Sequence, residues 1–268
     1  AARKVGQVPG SREGGEIRGK DACRQHQALR PSLRMKSKPL RIVLYSHDAM
    51  GIGHVRRNLR IAQALRSADP RSSVLLISGV AEGTWFPLPH GVDFLALPSL
   101  RKELSGHYTP RRLQIMPDEL VELRSGVIAT AVRSFQPDLL IVDKQPCGVS
   151  GELMPALSAL RTMPTARCVR GLRDVLDDAA VVQREWQASC YDQWIDRFYD
   201  AIWIYGDPAV YDTAAEYRFC PQLREMTHYT GYLDRIEAPA VTVETGGLET
   251  SDGKDLLLCM CGGGEDAG

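Results

Sequence analysis

The sequence predicts an α/β domain built on a parallel sheet with helices on both faces. Short apolar runs rich in branched residues recur along the chain, as expected of strands buried on both sides. Segments with helical periodicity separate these runs, and this alternation is typical of parallel sheets with crossover helices. The first run also passes through a glycine-containing loop, DAMGIGH, directly into an amphipathic segment, which indicates a β-loop-α unit.

Six buried strands are expected in the main body of the chain. They are Ile42–Tyr45, residues 72–78, Val92–Pro98, Asp138–Asp143, a fifth strand that ends near Val169, and Ile202–Tyr205. The basic stretch RKELSGHYTPRRLQ follows the third strand and has no clear period. It contains His107, Tyr108, Arg111 and Arg112, and we expect it to form an exposed, solvated loop.

Helices are expected between the strands, each with one apolar side. They comprise one that ends near Asp69, one from Asp118 that Pro137 closes, Leu153–Leu160, and one that ends at about Phe198. In the first, the apolar side is formed by Val55, Leu59, Ala62 and Leu65, and the residues off it are Arg56, Arg57 and Arg60. In the second, the apolar face is formed by Leu120, Leu123, Val127 and Val132.

The chain divides into four segments by composition. Residues 1–38 hold ten Lys or Arg against three Asp or Glu and few apolar residues, so we expect a disordered basic tail. Residues 39–227 form the Rossmann-like domain, and the polar residues 228–254 form a linker. Residues 255–268 contain an apolar run followed by Gly262, Gly263 and Gly264, which predicts the truncated start of a second α/β domain.

The same composition limits the partners of the protein. Outside the tail there are 23 Lys or Arg against 30 Asp or Glu, so nothing predicts a basic patch for nucleic acid. The seven scattered cysteines lack any CxxC pair, which favours free thiols in a reducing compartment. No apolar run approaches the roughly 20 residues of a membrane span, and no signal peptide is evident. We therefore expect a cytoplasmic protein, and the basic stretch after the third strand has too few large apolar residues to support peripheral membrane contact.

Several stretches resemble glycosyltransferases built from two facing Rossmann-like domains, the GT-B type. They are SHDAMGIGHVRRNLRIAQAL, DLLIVDKQPCGVSGEL, RGLRDVLDD, IWIYGDPAVYD and the terminal CGGGEDAG. The group includes the bacterial enzyme that adds N-acetylglucosamine to a lipid-linked peptidoglycan precursor, and the chain is most similar to an uncharacterised bacterial branch of predicted glycosyltransferases. The resemblance implies that residues 39–227 are the N-terminal, acceptor-side half of such an enzyme.

The resemblance also implies roles for residues around the first glycine loop. Gly51 and Gly53 would let the backbone approach the diphosphate of a nucleotide-sugar donor, which we expect to be UDP-linked, and Arg56 belongs to the same loop-and-helix region. His54 would contact a phosphate or take the proton of an acceptor hydroxyl, a role that suits its ordinary pKa near 6.5. The alternative is a helix N-terminal histidine that only bonds the backbone.

Other candidates follow the fourth and fifth strands and the terminal strand. Asp143 lies at a strand's carboxyl end, where open parallel sheets bind ligands, and either acts in catalysis or only caps a helix. The acceptor-side candidates are Lys144, Glu152 and Asp174, and those for diphosphate binding are Arg173, Gly262, Gly263 and Gly264. For Glu152 a helix-stabilising role stays open, as does an ion pair between Asp174 and Arg170 or Arg173.

The expected function is transfer of a sugar from a nucleotide donor to the hydroxyl of an unknown acceptor. No DxD sequence and no cluster with metal-ligand spacing is evident, so we expect neither a metal nor another cofactor. A nucleotide-sugar hydrolase and a non-catalytic module that binds an anion or a partner are the alternatives. Because the second anion loop lacks a following helix, we expect residues 1–268 alone to be inactive.

Overall fold

The computed structural model describes residues 38–47, 51–103, 107–189 and 191–233. The predicted tail up to residue 37 lies outside the described residues. So do the linker from residue 234 onward and the terminal strand with Gly262, Gly263 and Gly264.

Nine strands form within the described ranges, seven of them in one parallel sheet. In chain order they are β1 (Arg41–Ser46), β2 (Ser73–Ser78), β3 (Val92–Ala96), β4 (Leu100–Lys102), β5 (Tyr108–Pro110), β6 (Leu139–Asp143), β7 (Arg167–Arg173), β8 (Ala201–Tyr205) and β9 (Thr227–Tyr229). The large sheet has the order β3-β2-β1-β6-β7-β8-β9. β4 and β5 form a separate antiparallel pair. The predicted Rossmann-like sheet is confirmed, and each of the six expected strands is present.

The helices pack on both faces of this sheet. They are α1 (Gly53–Ala68), α2 (Pro117–Phe135), α3 (Met154–Arg161), α4 (Ala179–Ala188), α5 (Tyr191–Phe198), α6 (Thr213–Glu216) and α7 (Pro221–Glu225). Successive residues of a strand point to opposite faces, so Ile42 and Leu44 of β1 join the apolar cluster under α1, whereas Val43 joins the cluster under α2 and α3. Both faces of β1 are therefore buried, which accounts for its continuous apolar run.

Two predicted boundaries were wrong. β7 does not end near Val169 but continues to Arg173, because Gly171 and Leu172 pair with β8 and are buried. The expected solvated loop after β3 instead contains the pair β4–β5. Leu100 is buried against Leu120, and this contact anchors the pair to the domain.

The buried side of α2 also differs from the prediction. Leu123, expected on the apolar face, is 45% exposed, whereas the neighbouring Arg124 is fully buried. Arg124 Nε donates to Glu152 Oε2 at 2.5 Å, and its Nη2 donates to Glu152 Oε1 at 2.9 Å. A charge is stable in this position because its partner is buried with it, and apolar periodicity alone does not reveal such a pair.

Candidate functional site

The order of the sheet reverses between β1 and β6. The chain leaves β1 through α1 to reach β2 on one side, and it leaves β6 through α3 to reach β7 on the other. Connections that diverge in this way leave a crevice at the carboxyl ends of the two strands, where open α/β sheets bind ligands. His54, at the start of α1, and Asp143, at the end of β6, meet at this crevice.

His54 and Asp143 form a hydrogen-bonded pair although 89 residues separate them. The imidazole Nδ1 lies 2.8 Å from Asp143 Oδ2. Asp143 is 1% exposed, whereas the His54 side chain is 25% exposed. A carboxylate at Nδ1 accepts a hydrogen bond from the Nδ1–H group and so favours the tautomer with the lone pair on Nε2. No described residue forms a hydrogen bond with His54 Nε2, so this nitrogen is available to a ligand.

Arg57 completes this cluster from the next turn of α1. Its Nη1 donates to both oxygens of Asp143, at 2.9 and 2.8 Å. Burial alone would raise the pKa of Asp143, but the hydrogen bond with His54 and the positive charge of Arg57 outweigh burial and hold this pKa below its ordinary value. Asp143 is therefore ionised at neutral pH, and Arg57 balances its charge. Sequence analysis placed Arg57 only off the apolar side of its helix.

The two loop glycines differ in what they require. Gly51 has a φ of +69°, in the left-handed region that favours glycine. Gly53 opens α1, and a Cβ added there would meet no atom within 4 Å. The backbone at position 51 therefore favours glycine, whereas the fold leaves room for a side chain at position 53.

This difference is testable by substitution with alanine. We expect Gly51→Ala to lower the free energy of unfolding by about 1–2 kcal/mol, because an L-residue is strained at positive φ. Gly53→Ala, which adds a better helix former in open space, is expected to cause no loss of stability. Urea denaturation of the two variants measures this contrast, and an equal loss in both would contradict it.

His47, just beyond β1, is a site residue that sequence analysis missed. Its ring centroid lies 5.5 Å from that of His54, and Tyr108 approaches it edge-on at 6.4 Å. Burial, followed by the nearby His54 and Lys144, lowers the pKa of His47 to about 3. Its Nδ1 is buried with no hydrogen-bond partner among the described residues. The sequence feature that could have identified His47 is its position directly after the buried strand β1.

Because His47 is buried, we expect the stability of the folded chain to decrease in acid. Its ordinary pKa is 6.5, so below that pH the unfolded chain takes up a proton that the folded chain does not bind until about pH 3. This term lowers the free energy of unfolding by about 1.4 kcal/mol per pH unit over that window. Between pH 6.5 and 5, the free energy of unfolding of His47→Gln should therefore fall by about 2 kcal/mol less than that of the parent chain.

The measurement is chemical denaturation of both proteins at the two pH values. His107→Gln is the matched control, since this histidine is exposed, and it should behave like the parent chain. An identical pH dependence in the parent and His47→Gln would show that His47 takes up its proton normally in the folded state.

Glu152, an acceptor-side candidate in the sequence, has a buried carboxylate. It is 1% exposed, and its carboxylate accepts hydrogen bonds from Tyr45 Oη, the Arg124 guanidinium and the Val149 backbone N–H. The Glu152 carboxylate is therefore occupied by hydrogen bonds within the protein. Arg124 in turn donates to the carbonyl oxygens of Pro98 and His47, at 2.6 and 3.4 Å. The network therefore fixes the end of β1 through its bonds to Tyr45 and to the His47 backbone.

The remaining candidates lie around the crevice without joining the His54–Asp143 pair. Arg56 is exposed on α1. Arg173 Nη2 donates to the Leu176 carbonyl oxygen at 2.5 Å, and Asp174 bonds the backbone N–H of Val175. In the described ranges Asp174 forms no ion pair, so the predicted pairing with an arginine is not observed. Lys144 directly follows Asp143, with a φ of +64°.

The described ranges contain neither a cluster of metal ligands nor a helix that could span a membrane. No group of three or more His, Cys, Asp or Glu side chains there could hold a metal ion. No helix in those ranges is both long and apolar enough to cross a membrane.

Comparisons with known proteins give similarity at the level of solved structures. No family model and no curated protein matches the chain. A glycosyltransferase from Rickettsia africae is 7% identical, with 72% of this chain and 42% of that chain covered, at a TM-score of 0.45. Anabaena HepE in complex with UDP-glucose is 15% identical, with coverages of 73% and 44% and a TM-score of 0.45. A ugt transferase from Siraitia grosvenorii in complex with UDP is 13% identical, with coverages of 70% and 50% and a TM-score of 0.42. The chain thus spans half or less of the length of these proteins, and no residue role is transferred from them.

Proposed function

We propose that this chain is the acceptor-side half of a glycosyltransferase that moves a sugar from a UDP-linked donor to an acceptor hydroxyl. The observation that carries the proposal is the His54–Asp143 hydrogen bond at the carboxyl ends of two neighbouring strands. It supplies an oriented proton acceptor in the crevice where a Rossmann-like sheet binds ligands. The resemblance of the loop GIGHVRR to GT-B glycosyltransferases selects sugar transfer among the reactions that need such a base.

In the proposed reaction His54 acts as the general base. Its Nε2 takes the proton of the acceptor hydroxyl while the hydroxyl oxygen forms a bond to the anomeric carbon. The bond from that carbon to the diphosphate oxygen breaks, and the nucleoside diphosphate leaves with the electron pair. Asp143 accepts the hydrogen bond of the Nδ1–H group and stabilises the imidazolium that forms, as the carboxylate that orients a catalytic histidine does in general.

The positive charge of Arg57 changes the net charge that the His54–Asp143 pair presents to a ligand. Because Arg57 already balances the carboxylate of Asp143, the two side chains contribute no net negative charge to the crevice. A donor diphosphate can then approach without repulsion from Asp143. Asp143 therefore acts mainly by orienting the ring of His54, which is a positioning role.

The start of α1 suits the departing diphosphate. This helix has 16 residues and no acidic residue in its first turn. The backbone N–H groups at its N-terminus and the positive end of its dipole favour an anion. Gly53 leaves open space at this helix end, so in our proposal the β-phosphate lies against it, next to His54.

Product analysis tests the proposal. The full gene product that carries this chain is incubated with UDP-sugars labelled in the sugar, together with soluble and lipid acceptor fractions, and the labelled products are separated. We expect a labelled glycoside, and its formation should require His54. Release of free labelled sugar alone would assign the protein to the nucleotide-sugar hydrolases. No conversion, together with no binding of UDP in calorimetry, would leave only a non-catalytic binding module.

A further inference from the structure

A second polar site lies between the carboxyl ends of β6 and β7, on the face of the sheet opposite to α1 and the His54–Asp143 pair. A cavity of about 20 Å³ is lined there by Lys144 and Gln145 from the end of β6, Arg170 from β7, and Trp186 and Tyr191 from the helices that cover it. That volume accommodates a single water-sized group.

Arg170 is the unusual member of this lining. It is 1% exposed, and no described carboxylate forms an ion pair with it. Its Nε donates to the Lys144 carbonyl oxygen at 2.9 Å, and its guanidinium lies 4.5 Å from the ring centroid of Trp186 and 5.4 Å from that of Tyr191. Its Nη1 is buried with no partner in the described part of the chain. Aromatic faces attract a cation, but they leave this donor unsatisfied.

The charges around the cavity are arranged unevenly. Burial lowers the pKa of Arg170 to about 10, so that Arg170 remains protonated at neutral pH, and burial also lowers the pKa of the half-buried Lys144. The lining carboxylates, Asp177 and Glu185, are exposed at the rim. A buried charge without a paired counter-charge is costly to a fold, and an anionic group that enters the cavity would relieve this cost.

We propose that this cavity binds one oxygen of a small oxyanion, a carboxylate or a phosphate, between Arg170 and Lys144. Arg170 Nη1 is the buried donor of this site, and Lys144 and Gln145 also line it. The space admits one oxygen of an anionic end group and not a sugar ring. If the proposed function is correct, the group belongs to an acidic acceptor that extends over the carboxyl edge of the sheet towards His54.

Thermal denaturation of the chain in acetate, in inorganic phosphate and in chloride of equal ionic strength tests this site without any turnover. At about five times the dissociation constant, a bound anion is expected to raise Tm by about 2–4 °C for a domain of this size, in a saturable manner. The stronger of the acetate and phosphate responses identifies the end group. An equal response to chloride would be an effect of ionic strength and would overturn the proposal.

Two variants should abolish the response. Arg170→Met removes the unpaired charge while keeping an apolar stem, so without anion its Tm should remain close to that of the parent chain, and the anion should no longer raise it. Lys144→Asn removes the second cation, and asparagine tolerates the positive φ of this position. A large loss of Tm in Arg170→Met without anion, together with no response of the parent chain to either oxyanion, would make Arg170 a purely structural residue.

Two further variants serve as controls. Arg167→Met makes the same change on the same strand, but at a side chain that is 65% exposed and pairs with Asp200, so it should retain the full response. His54→Ala should also retain it, because the cavity does not include His54. Loss of the response in His54→Ala would place the anion at the catalytic pair and would overturn the assignment. The outcome is independent of whether any glycoside forms, so failure of this site and failure of the proposed function are distinguishable.

Discussion

His54→Ala is expected to lower the turnover rate of the full gene product by about 10²–10⁴-fold at saturating donor and acceptor, the usual contribution of a general base. The fold should be unaffected, because the His54 side chain is partly exposed at the first turn of α1. Asp143→Asn should also reduce turnover, since an amide no longer guarantees that the proton remains on Nδ1 of the ring.

The control for this experiment is His90→Ala, which removes an exposed histidine outside the crevice and should leave turnover unchanged. The measurement is initial rate against concentration for each substrate, so that the turnover rate and the apparent affinity are obtained separately. An effect of His54→Ala confined to the apparent affinity for the donor would assign His54 to phosphate binding. An unchanged rate would remove it from the mechanism.

Glu152→Ala is expected to lower the free energy of unfolding by about 3–5 kcal/mol, because it leaves the guanidinium of Arg124 buried without its counter-charge. Both side chains are fully buried, and the substitution also deprives Tyr45 Oη and the Val149 backbone N–H of their acceptor. For a domain whose total stability is of the order of 5–15 kcal/mol, this loss is a large fraction.

A double variant separates the charge from the packing. Glu152→Leu combined with Arg124→Met removes both charges and should be more stable than Glu152→Ala, since no uncompensated charge remains. Asp69→Ala breaks an exposed pair with Arg71 and should not change the denaturation midpoint measurably. Tryptophan fluorescence in urea reports all three variants. If the double variant were no more stable than Glu152→Ala, lost packing, and not the unpaired charge, would explain the effect.

The parts of the fold that depend on neighbouring residues could be predicted from the sequence. A strand buried on both faces needs a continuous apolar run, and an amphipathic helix needs a period near 3.6 residues. The local pattern was therefore sufficient for Ile42–Tyr45, for the helix behind Gly53, and for the position of Asp143 at a strand end. Errors arose where burial depended on distant partners. Leu123 and Arg124 exchanged their expected environments because Glu152, 28 residues away, neutralises Arg124.

Short-range periodicity and turn residues were enough to predict a parallel α/β sheet with a glycine loop and His54 at the start of its first helix. The contacts between polar groups became known from the three-dimensional arrangement. His54 bonds Asp143 across 89 residues, and Arg57, not Arg56, bonds the same carboxylate. His47 and Arg170 each bury one nitrogen that has no hydrogen-bond partner among the described residues. The physical reason is that electrostatic partnership and desolvation depend on distance in space, and sheet order, which sets those distances, is not a local property of the chain.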